Sequence, residues 1–171
     1  MKKKSIRKLV RKKISIILLL GMMTNIIFAD IKLNPNSKQN TTIDRSQNNA
    51  ATIININTPN ERGISVNEFN EFQTKDPVIF NNFGEGIGRS YLAGLMAANP
   101  NLSREQAAQL ILNRVGGNNR VEIENYLEVM SNGKTDVVFS SPNGYYLNNI
   151  GFINFRDVAF TTANVNLDAS G

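Results

Sequence analysis

"SSPNGYYLNNIGFINF", Ser140 to Phe155, decides how the rest of the chain is read. Short apolar pieces alternate with asparagines. Two breakers interrupt them, Pro142-Asn143-Gly144 and Asn149 to Gly151. Proline fixes φ, and Asn and Gly accept the backbone angles that β-branched residues resist. The stretch reads as brief strands joined by turns, and none of its side chains is suited to acid–base chemistry.

The same texture begins at Ala51. TIININ, GISVNEFNEF and PVIFNNF precede a central region, and VEIENYLEVM, DVVFSS and RDVAFTTANVNL belong with the later part. These predict strands of about 4–7 residues closed by Asn, Gly or Pro. In the central region, Asn99-Pro100 stops YLAGLMAA and SREQAAQLILNR follows. Ser103 with Gln106 has the capping-box spacing, and Glu105 suits the positive end of a helix dipole. The pattern predicts a short helix over 103–109 and a strand over 110–115, in preference to one helix running to Arg114. Asparagine occurs 25 times after position 29, mostly at strand ends. AT-rich codon usage accounts for part of this. The positions also suit left-handed turns and amide ladders along a stack of coils.

Strands this short and numerous fit either a β-sandwich or a parallel β-helix. Tight turns and few charges within strands favour the helix, with coils of a few tens of residues stacked about 4.8 Å apart. No exact internal repeat is visible, so the pattern alone leaves the sandwich open.

Length allows one domain with a sizeable core. Nineteen basic against fourteen acidic residues give +5, but eight of the basic ones fall within the first thirteen positions. Every acidic residue lies at Asp30 or beyond, so the body after residue 29 carries −3. A mildly acidic body lacks the phosphate-neutralising surface of a nucleic-acid binder. The basic start MKKKSIRKLVRKK, the apolar run ISIILLLGMM and the approach to Ala29-Asp30 have the layout of a signal peptide over 1–29. Cleavage after Ala29 is expected, with an uncleaved anchor as the alternative. Residues 30–50 are polar and rich in Asn, Gln, Ser and Thr, the composition of a loosely ordered leader. The chain has no cysteine. Many exported bacterial proteins lack it, and a chain that must cross a second membrane in extended form could not tolerate a disulfide-closed loop.

From Gly63 to Thr162 the order GISVNEFNEF, LAGLMAANPNL, ILNRVGG, LEVMSNGKTDVVFSSPNGYYLNNIGFINF, AFTT resembles the haemagglutination-activity domain. This is the amino-terminal secretion domain of two-partner secretion exoproteins, such as filamentous haemagglutinins and contact-dependent inhibition proteins. Asn99-Pro100-Asn101-Leu102 matches the family's first signature. Ser141-Pro142-Asn143-Gly144-Tyr145 stands where the second usually reads Asn-Pro-Asn-Gly-Ile, and Gly151-Phe152-Ile153-Asn154 matches again. Ser141 keeps a short side chain able to bond the backbone of its own turn, more weakly than Asn. Tyr145, if it faces the core, needs a partner for its hydroxyl.

The resemblance implies an all-β, right-handed parallel β-helix over 51–171 with the motifs at its turns, so that Ser140 to Phe155 is a corner, a rung, a corner and a rung. It implies recognition by the periplasmic domains of an outer-membrane barrel transporter, after delivery by the general export machinery and signal peptidase. Transit through the periplasm to the cell surface or the medium would follow. The motif residues are candidates for turn formation or transporter contact. Against the family pattern, the run to Asp168–Gly171 reads as an incomplete domain: a fragment, a frameshifted gene or a separately encoded piece. An adhesin module for host-cell surfaces is the first alternative. Its exposed aromatics would have to come from Tyr91, Tyr126, Tyr145, Tyr146 or the phenylalanines. An enzyme is the second, since Glu68, Glu71, Glu122, Glu124, Glu128 and Asp136 offer carboxylate pairs. With no histidine or cysteine the chain has neither a Ser/His/Asp set nor a zinc site, and the carboxylates lack calcium-loop spacing. No enzyme activity, cofactor or metal is expected.

Overall fold

The chain returns to the same three faces again and again. The computed structural model describes residues 30–104 and 106–167. The expected signal peptide, Glu105 and Asp168–Gly171 lie outside them.

On the first face β4 (Ile64–Thr74), β8 (Leu110–Val115), β11 (Thr135–Ser140) and β14 (Phe155–Thr161) pair in that order, all parallel. On the second, the end of β4 carries β9 (Val121–Ile123) and then β12 (Tyr145–Leu147). On the third lie β3 (Thr52–Asn55), β5 (Val78–Asn81), β10 (Tyr126–Met130) and β13 (Gly151–Ile153). The register sets Leu110 beside Asp136 and Val137 beside Val158, coils of about 26 and 21 residues. This is a parallel β-helix. The sandwich falls because its sheets would be antiparallel, whereas every contact between successive coils is parallel.

Alternation within each short strand fills the interior. Ile54, Phe80 and Val129 stack inward on the third face; Ile111 and Val137 do so on the first, and Val121 and Ile123 on the second. Full burial of such side chains stabilises by roughly 1.5–3 kcal/mol each. An aromatic column crosses the coils: Phe69 meets Phe72 edge-on at 5.2 Å, Phe72 meets Phe139 at 5.4 Å, and Phe139 stacks on Phe160 at 5.2 Å. Tyr145 closes on Phe160 at 5.3 Å.

The leader, expected to be loosely ordered, is structured. β1 (Asp30–Leu33) pairs antiparallel with β4, and β2 (Thr42–Arg45) pairs antiparallel with β3. The first coil would otherwise present two bare strand edges. Ile31, Leu33 and Ile43 supply just enough apolar surface to seat on the core. The polar remainder masks this role in the sequence.

Between the first and second coils, β6 (Ile87–Ser90) and β7 (Gly94–Ala97) form an antiparallel hairpin outside the helix. It lies over the outer side of the third face, where Met96, Leu92 and Ala93 pack with Ile53, Ile79 and Met130. Gly88 permits this approach, since a Cβ there would stand 2.5 Å from the Met130 Cε and 2.9 Å from the Phe83 ring.

The helix expected over 103–109 does not form among the described residues. Its capping pair does engage: the Ser103 N–H donates to Gln106 Oε1 at 3.1 Å, and the Gln106 N–H to the Ser103 carbonyl at 3.0 Å. The turn goes no further because Asn82 takes both backbone groups of Ala108. Its Oδ1 accepts the Ala108 N–H at 2.7 Å and its Nδ2 donates to the carbonyl at 2.9 Å. The segment is thereby held open for β8.

Candidate functional site

Asn99-Pro100-Asn101-Leu102 forms a β-turn at the exit of the hairpin, closed by the Leu102 N–H on the Asn99 carbonyl at 3.1 Å. Pro100 at the second position presets φ, and Asn99 Oδ1 accepts the Asn101 N–H at 2.9 Å to reinforce the bend. Asn99 is buried and acts as a staple. Its Nδ2 donates to the carbonyls of Ile56 at 2.9 Å and Asn81 at 2.8 Å, tying β5 to the end of the β3 segment. Asn101 extends the staple to the leader, donating to the Asn40 carbonyl at 2.7 Å and the Ile56 carbonyl at 3.1 Å. Leu102 inserts into the core and Pro100 stays exposed.

Ser141-Pro142-Asn143-Gly144 is a β-turn as well, closed by the Gly144 N–H on the Ser141 carbonyl at 3.2 Å, with Gly144 at φ +80°. The expected side-chain bond from Ser141 does not form. Its Oγ is fully buried without a partner, and the turn rests on backbone, proline and glycine alone. Asn99, by contrast, has a longer side chain that bridges two carbonyls at the first motif. Asn143 donates to the Gly117 carbonyl and so ties this corner to that of the preceding coil. Tyr145 packs against the core, and its hydroxyl is shared between the Phe139 carbonyl at 2.9 Å and the Thr161 carbonyl at 2.6 Å. Burial raises its pKa above the ordinary 10.0.

Gly151 opens β13 under the Tyr126 ring, where a Cβ would lie 2.4 Å from the ring carbon. Ile153 is half-buried, while Phe152 is exposed at its edge and meets Phe155 at 5.2 Å. Asn154 turns the chain at φ +63° and donates to the Val129 carbonyl of the coil before at 2.9 Å. The first two motifs therefore occupy separate corners and the third a rung with the turn after it, and no hydrogen bond among the described residues joins the first to the second.

A family model described as the TPS secretion domain matches residues 29–171. The chain belongs to that family. As relatives of this TPS domain, the 16S rRNA endonuclease CdiA of Enterobacter cloacae is 39% identical over 133 residues, and the toxin CdiA of Yersinia pestis 33% over 134. The alignments cover 77% and 78% of this chain and 4% of each relative, so the chain spans about 4% of the length of the curated relatives it matches. Among solved structures, the crystal structure of the filamentous hemagglutinin secretion domain matches with a TM-score of 0.68 and 27% identity. That match covers 81% of this chain and 44% of that one. The TPS match makes this region a secretion domain of a CdiA- or hemagglutinin-type exoprotein rather than a catalytic domain.

The carboxylates of the TPS domain are engaged in structure. Glu68 pairs with Arg114, Glu71 with Lys32, Glu122 with Arg120, Glu124 with Lys75 and Asp136 with Arg156. No group of three or more potential metal ligands occurs among the described residues. Three residues matter most for the architecture in roles that the sequence did not announce. Asn82 shapes the approach to β8. Asn81 continues an amide ladder, donating to Asn55 Oδ1 at 2.9 Å, while Asn55 donates to Asp44 at 2.8 Å. Glu128 is buried and grips the hairpin tip. The signal for the asparagines was present in their position at strand ends; that for Glu128 was not.

Proposed function

We propose that the chain is read by the periplasmic domains of a cognate outer-membrane barrel transporter and then nucleates β-helix folding at the cell surface. Signal peptidase and the general export machinery deliver it to the periplasm, where it stays extended until capture. The observation that carries this reading is the TPS match over residues 29–171. Capture is by strand addition, in which an extended segment joins an exposed sheet edge and main-chain bonds supply the affinity. The runs 64–72 and 92–102 suit it. The first sets inward Phe69 and Phe72 beside the half-buried Glu68 and Glu71 and the exposed Asn70, and the second holds β7 and the Asn-Pro-Asn-Leu turn. Outside the cell, each new coil buries apolar side chains on the last one and pairs its backbone groups, so return becomes unfavourable. In this reading the motif turns act by fixing the path of the coils.

The test uses chain unfolded in urea and diluted onto the immobilised periplasmic domains of the transporter, so that loss of folding cannot mimic loss of capture. Scrambling 64–72 or 92–102 is expected to abolish retention. Unchanged retention of both scrambled chains would overturn the assignment of these segments.

A further inference from the structure

The edge of β4 is covered by a short strand of this chain's own leader. β1 sets Asp30 against Gln73, Ile31 against Phe72 and Lys32 against Glu71, then shifts register to place Leu33 against Phe69. The Asn34 N–H ends the ladder on the Glu68 carbonyl at 2.9 Å. On its opposite edge β4 takes β8 over Ile64–Phe69. The β1 cover is light. It is four residues long, its Ile31 and Leu33 are only half-buried, and its ion pair from Lys32 to Glu71, 3.3 Å long, lies at the surface. Yet the strand beneath it is the amphipathic run proposed above for capture.

We propose that β1 is a placeholder. The β4 edge from Phe69 to Gln73 is the surface that accepts a strand of the transporter's periplasmic domain, and β1 takes that edge when the first coil closes outside the cell, so that the segment cannot be recaptured. The proposal rests on the capture reading given above. A strand edge has one set of N–H and carbonyl groups, so two strands cannot hold it together. The chemistry of the visitor follows from what β1 offers: antiparallel direction, a basic residue opposite the Glu71 carboxylate, and an apolar residue on either side of it facing Phe72 and Phe69. Before β1 seats, the edge is open and carries Glu68 and Glu71 at its outer side. Once the coil forms, β1 competes from within the same chain at an effective concentration no separate domain reaches. Its closure blocks recapture by the transporter and leaves the first coil capped.

The chain has no cysteine of its own, so Asp30→Cys combined with Gln73→Cys places a single cysteine pair across the β1–β4 register and leaves Glu71 in place. Binding to the purified periplasmic domains of the exporting transporter is measured on this folded variant with and without reductant. A second chain lacks residues 30–33. The oxidised chain is expected to bind at least about tenfold more weakly than the reduced one, and the chain without β1 at least about tenfold more tightly than the unaltered chain. Equal binding by oxidised and reduced forms would overturn the placeholder, whether or not the deletion folds. No binding by any form, urea-unfolded chain included, would overturn the capture reading and the placeholder with it.

Discussion

Ser90 donates its hydroxyl to Glu128 at 2.7 Å, joining the tip of the external hairpin to the third face of the coil. The same carboxylate accepts the N–H groups of Tyr91 at 2.8 Å and Leu92 at 3.0 Å. The buried carboxylate, in no salt bridge among the described residues, is thus satisfied by three donors from one loop. Replacing Glu128 by alanine strips the acceptor from all three. The expected cost is about 3 kcal/mol in urea unfolding, with Glu128→Gln losing less because one oxygen remains. Chymotrypsin should also cut at the exposed Tyr91 faster in the alanine variant. An unchanged unfolding midpoint would show that the hairpin is held by its apolar contacts alone.

The two proline turns should respond unequally. Asn99→Ala leaves the Asn81 carbonyl without its buried donor and the Ile56 carbonyl with Asn101 in place of two donors, a loss of about 2 kcal/mol. Asn99→Asp should cost more, since a carboxylate cannot donate and sets its charge against both carbonyls. Ser141→Ala removes a hydroxyl that bonds nothing, so stability is expected to change by less than about 0.5 kcal/mol or to rise. Chemical denaturation of the three variants side by side checks the order, and an Asn99→Ala no worse than Ser141→Ala would refute the staple.

How much of this was legible depended on how far each cause lies along the chain. The rungs and corners from Ser140 to Phe155 were readable because Pro142, Gly144 and the asparagines act locally, through their own φ angles. The hairpin was not, because Ile87–Ala97 has the texture of one more rung. What sets it outside is the side it packs against, the outer faces of Ile53, Ile79 and Met130, which no local pattern announces. In the sequence Glu128 is one of six candidate carboxylates, and it is buried only because Ser90–Leu92, nearly forty residues earlier, folds over it. At Ser103 the local signal was correct and still lost. The capping bond from the Ser103 N–H to Gln106 forms, but Asn82 claims Ala108 before a second turn can close. Among the candidate site residues, the turn geometry of Asn99–Leu102 followed from residue type. The orphaned Ser141 hydroxyl required knowing which carbonyls lie out of its reach.

Between the third and fourth coils, Arg156 donates to Asp136 Oδ1 at 2.7 Å. Hydrogen bonding from Arg156, followed by its charge, holds the Asp136 carboxyl below its ordinary 3.8. A lowered folded pKa means the unfolded chain takes up the proton first as pH falls. The contribution is therefore complete above 3.8 and is lost as pH drops through the folded value. Both groups face solvent, so the effect is expected to be small and salt-sensitive. The stability difference between the unaltered chain and Asp136→Asn should be flat from pH 7 to 5 and shrink below pH 3.8. A difference that grows on acidification would contradict the pairing.

Tyr145 supplies the opposite limb. Its burial disfavours the phenolate, so the folded chain holds the proton to higher pH than the unfolded chain, whose tyrosine ionises near 10.0. Stability from this group is complete below 10.0 and declines as pH rises through the folded value. The neutral hydroxyl meanwhile serves two carbonyls from neighbouring rungs, Phe139 and Thr161, so it ties β11 to β14 at their shared end. Tyr145→Phe keeps the ring on Phe160 and forfeits only that tie, a cost of about 1 kcal/mol at pH 7. Because the variant has no proton to lose at this site, its unfolding midpoint should fall less between pH 9 and 11 than that of the unaltered chain. The two midpoints are expected to converge across that interval in urea titrations. Parallel curves would mean that the hydroxyl does not titrate with folding and that its position between the rungs is not what holds them together.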